Sequence, residues 1–129
     1  MKDNYLCPHC RGHLNTGEYI IFSSRTSKGG LGLILLHYTL GDYSVTTHPL
    51  FEYEKGEKLQ LFCPICHKEL ASDIHENLAK ILLIDESGQE FHILFSKVAG
   101  EKSTFKIIGD NVEVFGEHSD NYLDLLGMR

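Results

Sequence analysis

Apolar and polar positions alternate along this chain in short runs closed by glycine, asparagine or aspartate, the pattern of β-strands joined by tight turns. Residues 18–24 (EYIIFSS) are rich in β-branched and aromatic side chains and predict a strand, broken by Ser27-Lys28-Gly29-Gly30. Residues 31–40 predict a second, with Leu33, Leu35 and His37 on one side and Ile34, Leu36 and Tyr38 on the other. Apolar groups on both sides imply burial on both faces, or an interface. After a turn at 40–43, residues 43–47 predict a third strand, and Pro49 argues against a regular central strand at that point. Residues 50–54 and 57–62 flank Lys55-Gly56 and predict a hairpin whose second arm runs into Cys63. Residues 70–78 predict an irregular link.

The last third predicts four strands, 79–85, 90–97, 103–108 and 112–115, joined by turn sequences at 86–89, 99–102 and 109–111. Such short connections make an antiparallel meander. Ser119 is placed to cap a short helix over 120–126, with Asp120 in its first turn, Gly127 at its end, and Tyr122, Leu123 and Leu126 as an apolar stripe docked on the meander. The expected fold is mainly β. Residues 1–76 form a metal-stapled module with a long antiparallel insertion, and residues 77–129 form the meander with its terminal helix, in contact across a boundary near 70–78.

All four cysteines fall in two turns, Cys7-Pro8-His9-Cys10 and Cys63-Pro64-Ile65-Cys66. A C-x-x-C turn aims two thiolates at one ion, and two turns complete the four-ligand shell of a structural zinc site. Proline after the first cysteine presets the turn. A leucine follows the second cysteine by four residues in each copy (Leu14, Leu70), placed to pack beneath the site. Disulfides and a thiol redox loop are the rival readings. The first does not suit a reducing compartment. The second lacks the following helix that lowers a catalytic thiol's pKa.

The paired knuckles resemble the zinc ribbon family. The resemblance implies metal ligation by Cys7, Cys10, Cys63 and Cys66, with Zn2+ as the ion and iron, in a rubredoxin-like electron carrier, as the alternative. Two features depart from the family pattern. Arg11 and His67 stand where many members have glycine, and 52 residues separate Cys10 from Cys63. The long spacer predicts an inserted sheet.

Composition narrows the function. With 18 acidic against 12 basic residues the net charge is −6, a poor balance for phosphate neutralisation, so a nucleic-acid-binding ribbon is disfavoured even with Arg11, Arg25 and Lys28 near the first knuckle. No apolar run is long enough to span a bilayer, and no targeting segment opens the chain, so the expected location is cytoplasmic. Eight histidines are present, of which His9, His13 and His67 lie in or beside the knuckles. No catalytic motif is found, among them G-x-S-x-G, H-E-x-x-H and a phosphate-cradling glycine loop. The expectation is a zinc-binding protein that is not an enzyme and serves as a protein-binding or scaffold module, through a protein partner or self-association.

Overall fold

The computed structural model describes residues 3–126. Ten strands occur in chain order: β1 (Asn4–Leu6), β2 (Asn15–Thr16), β3 (Tyr19–Arg25), β4 (Leu31–His37), β5 (Val45–Thr47), β6 (Gln60–Phe62), β7 (Leu78–Ile84), β8 (Glu90–Ser96), β9 (Thr104–Ile108) and β10 (Asn111–Phe115). A 3-10 helix, Ser119–Leu126, follows them. One antiparallel sheet runs β2-β3-β4-β5, with β6 added to β3. The other runs β1-β7-β8-β9-β10. Their inner faces meet in one buried cluster, with Ile20, Phe22, Ile34 and Leu61 from the first sheet and Tyr5, Ile81, Leu83, Ile93 and Phe95 from the second. The Phe22 and Phe95 rings cross it with centroids 5.4 Å apart.

The predicted mainly β fold, the inserted sheet and the four-strand meander are all present. Two local expectations are not met. Residues 50–54 form no strand. Pro49 and the turn closed by Phe51 N–H on His48 C=O redirect the chain there. Phe51 then packs into the core over Gly32, where a Cβ would stand 2.5 Å from its ring. The approach strand β1 and the two-residue β2 carry too few residues to show a period, and the sequence does not announce them. The expected short terminal helix is present, as a 3-10 helix, but the Ser119 hydroxyl donates back to Phe115 C=O at 2.5 Å instead of capping it. Gly127, its expected terminator, lies outside the described residues.

The two sheets are built alike. The β3–β4 pairing runs from Tyr19↔His37 to Arg25↔Leu31, and the β7–β8 pairing from Leu78↔Ser96 to Ile84↔Glu90, each counterpart 59 positions on. The same shift turns Leu36↔Val45 of β4–β5 towards its match Phe95↔Thr104 of β8–β9. The turns agree as well. Gly29 N–H donates to Thr26 C=O and Gly88 N–H to Asp85 C=O, both at 3.0 Å. Both glycines have φ of +88°, which a residue with a Cβ rarely adopts. The Thr26 hydroxyl accepts from Gly30 N–H and the Asp85 carboxylate from Gln89 N–H, both at 2.9 Å.

The approach strands are exchanged between these halves. β1, which leads into the first knuckle, pairs with β7 through Leu6↔Leu82 and Tyr5↔Leu83. β6, which leads into the second knuckle, pairs with β3 through Phe62↔Ser23 and Leu61↔Ser24. The fold therefore has an internal twofold pseudosymmetry in which each half completes the other's sheet.

The outer faces break this symmetry. On the second sheet Leu78, Leu94 and Phe105 are buried beneath Tyr122, with Leu123 and Leu126 packed alongside. On the first sheet, Ile21, Leu35 and Phe62 are only partly covered, and Leu33 and Leu31 are 52% and 71% exposed. Of the two apolar sides of β4, the one carrying Ile34 enters the core, whereas the one carrying Leu33 faces solvent.

Candidate metal centre

Each knuckle is a short turn held by main-chain hydrogen bonds that the other repeats. Arg11 N–H donates to Cys7 C=O and His67 N–H to Cys63 C=O, both at 2.9 Å. Cys7 N–H reaches Gly12 C=O and Cys63 N–H reaches Lys68 C=O, both at 3.0 Å. Leu14 N–H on Tyr5 C=O and Leu70 N–H on Leu61 C=O, both at 2.8 Å, then close each turn into a hairpin. Leu14 and Leu70 are buried in the same cluster as Cys7 and Cys63, the place the spacing gave them.

The turn geometry favours glycine after the second cysteine of each knuckle. Arg11 has φ of 59° and His67 of 68°, both in the left-handed region. The knuckle keeps that backbone and accepts the steric cost, which is about 1–2 kcal/mol for a residue with a Cβ. His67 is exposed. His67→Gly is expected to raise unfolding stability by about 0.5–1 kcal/mol, the relieved strain less the added freedom of the unfolded chain. Urea denaturation of the metal-loaded protein measures it, and an equal loss of stability would mean that the His67 side chain contributes a contact of its own.

The two turns bring all four sulfurs together, each within 4.8 Å of every other. Cys7 Sγ stands 3.8 Å from Cys66 Sγ, and Cys10 Sγ 3.8 Å from Cys63 Sγ. The internal twofold exchanges these two pairs, so the centre lies on that axis. For four thiolates around one ion with metal–sulfur bonds of about 2.3 Å, the edges of the tetrahedron are about 3.8 Å. The donor set therefore fits a single ion of the kind that soft sulfur ligands select. Cys7 and Cys63 are buried, Cys66 is half-buried and Cys10 is exposed.

Main-chain donors aim at the sulfurs. His9 N–H lies 3.3 Å from Cys7 Sγ, Gly12 N–H 3.4 Å from Cys10 Sγ, and Ile65 and Cys66 N–H groups 3.3 and 3.4 Å from Cys63 Sγ. Such donors stabilise thiolate charge. Burial works against them. It pushes the Cys7 thiol up to about 12, and raises that of Cys63 as well, while the backbone N–H of Lys68 lowers that of Cys66. Four thiolates so close together need a cation to balance their charge.

The knuckles also touch each other. His9 Nε2 stands 3.2 Å from Glu69 C=O, and a Cβ on Gly12 would meet Ile65 Cδ1 at 2.6 Å. The bare α-carbon of Gly12 thus gives room to the second knuckle's side chain, a role its sequence position alone did not suggest. Among the described residues, no other group of three or more His, Cys, Asp or Glu donors comes together, so the eight histidines build no second centre there. No helix among them is long and apolar enough to cross a membrane. The chain matches no protein-family model, and neither a curated protein nor a solved structure shows significant similarity to it.

Proposed function

We propose that this protein is a docking module in which a structural Zn2+, held by Cys7, Cys10, Cys63 and Cys66, fixes two sheets so that one of them presents an apolar face to a protein partner. The observation that carries this reading is the contrast between the two outer faces. The face of β7–β9 is covered by the chain's own amphipathic 3-10 helix, whereas the equivalent face of β3–β4 leaves Leu31 and Leu33 in solvent. Exposed contiguous apolar surface of this kind marks interaction sites. The covering helix has aromatic and leucine side chains inward and Asp120 and Asp124 outward. The bare face is bordered by Arg25, which stands opposite Leu31 on the β3–β4 pair. A partner segment of the same character, short, amphipathic and acidic, suits it in both respects.

A metal role confined to structure is consistent with the donor set, because four protein thiolates leave no position for substrate. Zinc is favoured over iron for a centre with no redox task, and a colourless protein with one zinc per chain supports that choice. Red protein carrying iron would make the centre an electron carrier. The nucleic-acid reading loses one of its cations, since Arg11 pairs with Glu90 at 2.8 Å.

The docking reading is tested with a photo-crosslinking residue in place of Ser23, which sits opposite both Leu33 and Phe62 on the bare face. A discrete crosslinked protein is expected in cells, and Leu33→Glu should abolish it while leaving metal content and thermal melting unchanged. A product that survives Leu33→Glu, or none at all, refutes the reading.

A further inference from the structure

A cavity of about 190 Å³ lies between the two sheets, separate from the metal centre: no residue of 7–14 or 63–70 lines it. Its walls are inner-face side chains, chiefly Phe22, Ile34, Leu36, Ile81, Ile93 and Phe95. The loops 39–43 and 98–102 both line it, and they are counterparts in the internal repeat, so the cavity sits astride the same twofold axis as the metal. Natural interiors leave few voids larger than a water molecule. An apolar cavity of about 150 Å³ is enough to take up benzene.

We propose that this cavity is a binding site for one small, neutral, apolar molecule with the bulk of one or two rings. Most polar groups in the walls are already engaged by the protein; Ser103 Oγ, buried without a hydrogen-bond partner, is the exception and suits a ligand with a single neutral polar group such as a hydroxyl. Tyr5 Oη donates to Tyr38 C=O at 2.6 Å, Tyr43 Oη and Thr104 Oγ1 share a hydrogen bond of 2.8 Å, and Ser96 Oγ donates to Glu101 at 2.7 Å. A charged ligand would give up its hydration and find no unpaired counter-charge there, since the buried wall cation Lys97 already has Glu69 at 3.9 Å. The loop walls carry the carboxylates of Asp42 and Glu101, and the nearby Lys102 ammonium stands 3.7 Å from Glu117, so an anion gains nothing at the entrance. Aliphatic and aromatic walls with few unsatisfied polar groups select a ligand chiefly by shape and apolar surface.

The repeat itself supplies the variant that tests this site. Leu36 occupies the position that Phe95 holds in the other half, so Leu36→Phe fills the cavity with a side chain the fold already accommodates there. Val45→Phe, at a rim position 47% exposed, blocks the site with less demand on packing and decides the matter should Leu36→Phe not fold. The probe is naphthol, with naphthoate as its charged counterpart, titrated into the metal-loaded protein and followed by amide chemical shifts. Naphthol is expected to give saturable shifts in residues 39–45 and 98–104. Naphthoate should bind about tenfold more weakly or less, and either variant that folds should abolish the naphthol response. No saturable response, a response centred on the bare face of β3–β4, equal binding of naphthoate, or binding that persists in Val45→Phe would overturn the proposal.

Discussion

Cys63→Ser/Cys66→Ser is expected to lose its metal and its tertiary structure together. The second knuckle supplies two of the four sulfurs, and the remaining pair cannot close a tetrahedron. The ion has more to hold here than a single loop. β1 and β6 are each paired to the opposite half over only three residues, and both run directly into a knuckle. Without the ion, those short pairings are left to keep the halves together. Structural zinc in small domains contributes about 10–16 kcal/mol of binding free energy near neutral pH, against about 5–15 kcal/mol of net stability for an ordinary domain. Removing it leaves little margin. Metal analysis by mass spectrometry beside a circular-dichroism melt checks the outcome. A metal-free variant melting within a few degrees of the wild type would show that the sheets stand without the ion.

The next largest effect is expected from Phe105→Thr, which gives the second sheet the residue that the first has at the equivalent position, Thr46. Phe105 is fully buried, and its ring meets that of Tyr122 edge-on with centroids 6.3 Å apart. Tyr122 in turn donates its hydroxyl to Glu101. Emptying this site removes the floor on which the 3-10 helix rests. Truncating a buried aromatic ring costs about 3–5 kcal/mol, and a buried hydroxyl in its place adds to that. Thr46→Phe is the control, because Thr46 is exposed and nothing closes over it, so its effect should stay within about 0.5 kcal/mol. Urea unfolding of both variants at constant metal loading measures the difference. Equal effects would mean that the helix does not distinguish the two faces.

Much of this architecture was legible in the residues. The seven-residue strands β3, β4, β7 and β8 show their periods, and glycines mark the turns between them. The spacing of the two Cys-Pro-x-Cys turns announces that their four sulfurs come together. The exchange of β1 and β6 was not legible, since three residues carry no period and pairing partners are chosen by tertiary contact. The repeat was hidden for a related reason. Only a few positions coincide between the sheets, such as Ile34 with Ile93, Leu35 with Leu94, Gly41 with Gly100 and Ser44 with Ser103. The link after the second knuckle is longer, so the shift of 56 that relates Cys7 to Cys63 becomes 59 within the hairpins. The hairpin expected over 50–62 failed because Phe51 reads as a strand residue in isolation but serves as a plug over Gly32.

The exchanged approach strands also determine how the molecule comes apart. If each half kept its own approach strand, one sheet could open while the other stayed closed, and partly unfolded species would populate. Here the loss of β1 strips an edge from the sheet built by the later residues, and the loss of β6 strips one from the sheet built by the earlier residues. Either event also disturbs a pair of metal-facing sulfurs. Local opening in one half is thereby coupled to opening in the other, and amide protons at the centres of β3 and β7, far apart in the chain, should exchange with solvent through the same global event.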